Sequence, residues 1–467
     1  MRWWGSIASF LFVAWLPNAG LGAQSCADLV AAAEALGART GVAVCDDAGR
    51  VWYGHRIGEP FAPASNQKLL TAAAVLSGLG AEHRFTTRFW LRGGRLVVEA
   101  SGDPNWIHDS EHAPERVFAV VAVALQRAGV TAVAGIDLDA GTFTGPTRPA
   151  GWPRDQHYTY YCAPTGPFVL EQGTFVLAID ADAGATAAHI GLVAPPAGLP
   201  VEGSIAVVDR AKGAVYGAVD LGSAIQVRGK FHRKSPPVTI RTAMQDPTGW
   251  YLATLRQVLT SAGVRVDAGA AAAVPDRLVH EYASPLRPAL QRMLEDSSNF
   301  DAEQCLRVLG AKLVGDGSLA GGLAALRRQL QAQLGTVPDG VVLTDGSGLS
   351  SDNRITPGVV AAALLTTSAA PGGGMLFECL PVAGRSGTLA DRFVGSPLVG
   401  RVRAKTGWIR GASALSGVVD GADGARRWFA ILMNYDPARG GLNKELKALQ
   451  ERLVAAIAAL AAPGPQR

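Results

Sequence analysis

Several kinds of chemistry are missing from this chain. Cysteine is scarce, with Cys26, Cys45, Cys162, Cys305 and Cys379 in 467 residues. No two of them form a C-x-x-C pair, so a thiolate zinc site is not expected. Charge is sparse too: 18% of residues are charged and the net charge is +4. That balance is too weak and too scattered to hold nucleic acid. No apolar run beyond the N-terminus is long enough to span a bilayer, and the alanine-rich stretch at 268–274 is far too short. There is no G-x-S-x-G, which disfavours the nucleophile turn of α/β-hydrolases. His108 and His112 are four residues apart but lack the H-E-x-x-H order and a clear third ligand, so no metal or other cofactor is expected.

What is present is a large apolar fraction, 48%, in a chain long enough for two or three domains. The first residues combine Met1-Arg2, an apolar run over 3–17 and small residues ending at Ala23. This pattern predicts an export signal at 1–23, a protein acting outside the cytoplasm, and at most peripheral membrane contact. Export permits disulfides: Cys26–Cys45 is a candidate bridge, and the odd count leaves at least one thiol free or paired outside the chain. A basic run at 228–234 reads as a solvated loop, with contact to an anionic polymer or lipid as the alternative.

Along the chain, a helix over 26–36 and a hairpin of strands 40–45 and 50–55 precede a helix that starts at Ser65. Residues 69–76 of that helix are apolar or small on nearly every side, so it belongs inside the protein. Short strand patterns and turns then dominate to about residue 284, broken by helices near 117–128 and 249–263. Helical patterns return at 288–294, 302–313, 323–334 and 357–366. Strands at 401–406, 414–420 and 427–435 and a helix over 444–460 close the chain. The late strands are expected to complete the sheet begun at 40–55. The fold class is therefore α/β in the broad, multi-domain α+β sense: an antiparallel sheet flanked by helices, with β-rich domains inserted. The boundaries are 24–80 with 285–467 for the first unit, 81–172 with 241–284 for a second, and 173–240 nested within it.

Three short motifs carry chemistry. Ser65 and Lys68 stand three apart at a helix start, which puts a hydroxyl beside an amine that can take its proton. Alone, this is an ordinary cap and a solvent-facing lysine. Ser297-Ser298-Asn299 falls between helices, where Ser and Asn serve equally as turn residues. Lys405-Thr406-Gly407 lies in a strand, with a cation, a hydroxyl and space for a substrate backbone. In this order, S-x-x-K, S-x-N and K-T-G are the set of serine acyl-transfer enzymes that includes β-lactamases and penicillin-binding proteins.

The spacing from Ser65 to Ser297, over two hundred residues, narrows the resemblance. The chain resembles the class C low-molecular-mass penicillin-binding proteins, the D-alanyl-D-alanine carboxypeptidase/endopeptidase family. Further segments carry the likeness: Ser101-Gly102-Asp103-Pro104, Gly151-Trp152-Pro153, Asp345-Gly346-Ser347-Gly348-Leu349-Ser350 and Arg385-Ser386-Gly387-Thr388-Leu389. The resemblance implies a β-lactamase/transpeptidase-like domain carrying two inserted domains, and a serine DD-peptidase that cuts peptidoglycan peptides and is acylated by β-lactams. It implies Ser65 as nucleophile, Lys68 as its base and Ser297 as proton relay to the leaving amine. Asn299, Lys405, Thr406, Gly407 and Trp408 would bind substrate, with the backbone amides of Ser65 and Trp408 forming the oxyanion hole. A periplasmic location follows from the same likeness and the export signal.

Two departures stand out. Ser298 occupies a position that relatives usually fill with Asp or Asn. In the loop after Trp152, the acidic residue that meets the peptide's diamino acid falls by count on Gln156, so Asp155 is the candidate to replace it. Two other readings remain: a β-lactamase or esterase on the same scaffold, distinguished by fast nitrocefin turnover, and a non-catalytic penicillin-binding or wall-binding protein, distinguished by stable labelling without D-Ala release.

Overall fold

The computed structural model describes residues 24–196, 199–266, 275–421 and 423–461. The expected export signal at 1–23 and the alanine-rich stretch at 268–274 lie outside them. The chain enters through α1 (Cys26–Ala35), capped by Ser25 and Asp28, and then forms β1 (Arg39–Cys45) and β2 (Val51–His55). A buried helix, α2 (Gln67–Leu79), follows. Much later come α3 (Asn299–Val314), α4 (Pro357–Ala369), β3 (Val402–Ile409), β4 (Ala412–Asp420), β5 (Arg426–Asn434) and α5 (Asn443–Ala458).

The early and late strands make one five-stranded antiparallel sheet, ordered β3-β4-β5-β1-β2. The closing pair runs from Arg39 opposite Asn434 to Cys45 opposite Trp428. Strand side chains alternate faces, and both faces here are apolar. Val42, Val44, Phe429, Ile431 and Met433 pack under α1 and α5. Ala43, Trp428, Ala430 and Leu432 face the other way, towards α2, α3 and α4. From Gln67 to Leu76 every residue of α2 is buried, which explains why its sequence has so little polar face.

The same alternation overturns the candidate disulfide. Cys26 packs with the α1–α5 face, whereas Cys45 points to the α2 face. The two thiols lie on opposite sides of the sheet, and all five cysteines are free and buried.

Between α2 and α3 the chain builds smaller sheets. A four-stranded sheet comprises Arg277–Pro285, Arg84–Arg92, Arg95–Glu99 and Ile136–Asp139 in that order. Helices Pro114–Arg127 and Pro247–Ser261 cover it through Phe89, Phe118, Leu125, Tyr251 and Leu255. Two three-stranded sheets share a core around Phe175, Ile205, Phe231 and Trp250. Strands Arg277–Pro285 and Tyr216–Asp220 have no counterpart in the sequence expectations. His108 and His112 serve structure: the first bonds Glu171 at 2.7 Å, the second the Tyr282 hydroxyl at 2.6 Å. In the basic run, Arg228 and Lys230 are exposed, while Arg233 pairs with Asp209 at 2.7 Å.

Candidate active site

Ser65 sits in a single 3-10 turn, Ala64–Asn66, and α2 begins just after it at Gln67. Ala64 has φ of 47°, an uncommon value for a residue with a side chain. That turn leaves Ser65 on the wall of a cleft while Asn66 and Lys68 are buried. Lys68 is 0% exposed. Its Nζ donates to Asn299 Oδ1 at 2.7 Å, to the Ser347 carbonyl at 2.8 Å and to Ser65 Oγ at 3.0 Å. Burial drives its pKa down to about 7, although the negative charges of Asp345 and Glu303 pull the other way. An amine in that state can accept a proton near neutral pH.

The wall behind Lys68 is held by two buried acids. Glu303, on α3, accepts the amides of Gly346 and Ser347 at 3.0 and 2.8 Å. Asp345 accepts the amides of Gly348 and Ser350, both at 2.7 Å, and the Trp152 indole N–H at 3.0 Å. Thr71 Oγ1 donates to the Gly346 carbonyl at 2.7 Å. Together these bonds aim the Ser347 carbonyl at Lys68. Burial first, and the charge of Asp345 second, push the Glu303 carboxyl above the usual glutamate range.

The second motif straddles the start of α3. Ser297 has φ of 63° and lines the cleft. Ser298 is the N-cap, its Oγ accepting the Asp301 amide at 3.2 Å, so this departure keeps a side chain that caps the helix. Asn299 bridges inward and outward: its Oδ1 meets Lys68 and its Nδ2 donates to the Tyr161 carbonyl at 2.8 Å.

The third motif lies on β3, an edge strand. Asn66 Nδ2 donates to the Lys405 carbonyl at 2.9 Å, fastening the strand to the Ser65 turn. Gly407 makes the approach possible, because a Cβ there would fall 2.9 Å from the Pro63 carbonyl oxygen. Lys405 is fully buried, with its Nζ donating to the Thr406 carbonyl at 3.1 Å. Burial, then the charge of Lys68, hold its pKa well below the ordinary lysine value, while Asp296 opposes them. Thr406 Oγ1 donates to Thr388 Oγ1 at 2.8 Å. The Ala404 amide bonds the Pro381 carbonyl, outside the sheet. Amides alternate along a strand, so that of Trp408, four residues on, faces the same free edge.

The cleft encloses about 980 Å³ and brings Ser65, Ser297, Asn299 and Trp408 onto one wall surface. Asp155 is not among them. It is exposed on the 3-10 turn Arg154–Gln156, whereas Gln156 lines the cleft and accepts the Tyr161 hydroxyl at 2.8 Å. At roughly three residues per turn, neighbours on such a turn point in different directions. The sequence reading missed Glu303, Tyr161 and Gln172 as site residues. The sequence carried no local signal for Glu303, because the burial of its helix from Phe300 to Gly310 shows only in the fold.

The sequence profile of the D-Ala-D-Ala carboxypeptidase 3 (S13) family matches residues 23–455. A D-alanyl-D-alanine carboxypeptidase of Actinomadura sp. (strain R39) is 32% identical over 436 residues, covering 85% of this chain and 78% of the other. The D-alanyl-D-alanine carboxypeptidase DacB of Haemophilus influenzae is 25% identical over 395 residues, or 79% and 80% of the two chains. The crystal structure of penicillin binding protein 4 (dacB) from Haemophilus influenzae shares the fold, with a TM-score of 0.77 at 23% identity over 92% of this chain and 98% of that one. The mixed α/β, multi-domain architecture and the profile match thus agree: the chain belongs to the D-Ala-D-Ala carboxypeptidase 3 (S13) family.

Proposed function

We propose that the protein is a serine DD-peptidase that cleaves peptidoglycan stem peptides after a D-alanyl carbonyl, through an ester on Ser65. The observation that carries this reading is the buried Lys68 amine, 3.0 Å from Ser65 Oγ and with its pKa brought down to about 7. In the reaction, neutral Lys68 takes the Ser65 proton as Oγ attacks the penultimate D-Ala carbonyl carbon. The oxyanion is received by the backbone amides of Ser65 and Trp408. Ser297 passes a proton to the departing amine as the C–N bond breaks, and is resupplied from the Lys68 ammonium. Water then attacks the ester with Lys68 again as base, freeing the shortened peptide and Ser65.

Lys405, Thr406 and Gly407 receive the terminal carboxylate, and Asn299 orients both Lys68 and the substrate amide. Burial holds the Lys405 pKa well below the ordinary lysine value, and an arriving carboxylate favours its charged form. Gln156, in place of Asp155, meets the peptide on the cleft wall. Residues 24–80 and 285–467 form the catalytic unit in this reading, and the intervening segments shape the cleft. The enzyme works outside the cytoplasm, in the periplasm; no described helix is long and apolar enough to cross a membrane.

A β-lactam is an amide whose leaving group stays tethered after acylation, so it traps the ester. Incubation with benzylpenicillin is expected to add one penicillin mass to the tryptic peptide that holds Ser65, and none in Ser65→Ala. A folded protein that takes up no adduct, or takes it up equally in the variant, contradicts the reading. Rapid turnover of nitrocefin without adduct would favour a β-lactamase.

A further inference from the structure

Besides Ala64, three residues with side chains have positive φ beside the cleft: Glu171 at 51°, Gln172 at 56° and Ser297 at 63°. Such values are rare outside glycine and persist only where surroundings enforce them. Here the enforcing contacts run from one strained segment to the other. Gln172 Nε2 donates to Asp301 Oδ2 at 2.6 Å and to Ser298 Oγ at 3.2 Å. Asp301 is fully buried and takes a second donor, Arg292, at 2.6 Å. Arg292 also donates to Asn105 Oδ1 at 2.9 Å, and its own carbonyl accepts the Ser298 amide at 3.0 Å.

On the other side, Glu171 is anchored to His108, whose amide and ring nitrogen reach its two carboxylate oxygens at 2.5 and 2.7 Å. Its amide bonds the Trp106 carbonyl at 2.8 Å. Thus the residue after Ser297 is fixed at its amide and hydroxyl, and Asp301, whose amide that hydroxyl caps, is held at its carboxylate from two directions. The direct bond at the strained end comes from Gln172, far away in sequence.

We propose that Gln172 is a positioning residue for Ser297: by clamping Ser298 and Asp301 it holds the Ser297 hydroxyl where it can protonate the leaving amine. The inference rests on the proton-relay role given to Ser297 above. It makes a chemical prediction that a merely structural role does not. A peptide amide needs a proton on nitrogen as the C–N bond breaks. A thioester with the same acyl group releases a thiolate, which leaves without one. In both cases the Ser65 Oγ–carbonyl bond forms in the same way and Lys68 takes the same proton.

The variant to use is Gln172→Gly, because glycine adopts φ near 56° freely and so removes the clamp without backbone strain. Gln172→Ala serves as a second variant, and thermal unfolding reports whether each is folded. Acylation by a D-Ala-D-Ala peptide is expected to fall about tenfold, since displacement of a reacting group by about 1 Å costs up to roughly 10²-fold. Acylation by the matching thioester is expected to change less than about twofold, within ordinary positional effects. Ser297→Ala should show the same selectivity more strongly, and adding Gln172→Gly to it should cost nothing more. Equal losses on amide and thioester, or none, in Gln172→Gly would overturn the clamp alone. Failure of Ser297→Ala to separate the two substrates would overturn the relay role and the clamp with it.

Discussion

Replacing Lys68 by alanine is expected to slow acylation of Ser65 by about 10³-fold, the middle of the range for loss of a positioned general base. The substitution also removes the donor to Asn299 Oδ1 and to the Ser347 carbonyl. Buried acceptors left without a partner cost roughly 1–3 kcal/mol each, so Lys68→Ala loses stability as well. Lys68→Arg separates the two effects. It keeps positive charge and donors but cannot release its proton near neutral pH. It is expected to acylate as slowly as the alanine variant while unfolding closer to the parent.

The pH profile of the parent checks the same residue without mutation. Burial lowers the Lys68 pKa from 10.5 to about 7, so its neutral, base-competent form is scarce below that value. The second-order rate constant for penicillin acylation should climb about tenfold per pH unit below about 6 and level off above about 8. A rate still rising tenfold per unit at pH 9 would mean an ordinary lysine, and would remove Lys68 from the role of base.

The second large effect comes from a glycine outside the three motifs. Gly348 has φ of 80°, and a Cβ there would fall 1.8 Å from the Ala64 carbonyl oxygen. Ala64 is the residue before the nucleophile and is itself held at positive φ. Gly348→Ala therefore strains its own backbone and pushes the Ser65 turn. The two costs, roughly 1–3 kcal/mol each, sum to roughly 2–6 kcal/mol. A lower unfolding temperature, by roughly 5–10 °C, is expected, with acylation down by up to about 10²-fold from displacement of the nucleophile. Gly58 supplies the control: a Cβ there meets nothing within 4 Å, so Gly58→Ala should behave as the parent. Equal behaviour of the two variants would show that the loop at Gly348 does not set the position of Ser65.

The residues of the candidate site were the most legible in the sequence, because each motif sits where local rules are strong. Ser65 and Lys68 follow helical spacing, Ser298 and Asn299 mark a helix start, and Lys405 to Gly407 lie on an apolar strand. The sheet was legible as well, since β1, β4 and β5 are buried almost continuously. What failed lacked a local signal. Strand Arg277–Pro285 is the edge of its sheet and fully buries only Ser284, so its residues show no apolar alternation. The Cys26–Cys45 pairing relied on nearness in sequence and ignored that β1 separates the two faces. Gln172 and Glu303 act only through contacts with segments far away in the chain. No periodicity can announce a hydrogen bond between residues 172 and 301.

The central claim is that this site cleaves a peptide after a D-alanyl carbonyl through Ser65. Its most direct test is to incubate the protein with purified muropeptides, one carrying an uncrosslinked D-Ala-D-Ala end and one crosslinked, and to follow the products by mass. The account predicts loss of terminal D-Ala, or opening of the crosslink, or both, with each reaction abolished in Ser65→Ala and blocked by prior penicillin treatment. Intact muropeptides after incubation with folded, untreated protein from a batch that takes up penicillin at Ser65 would contradict it.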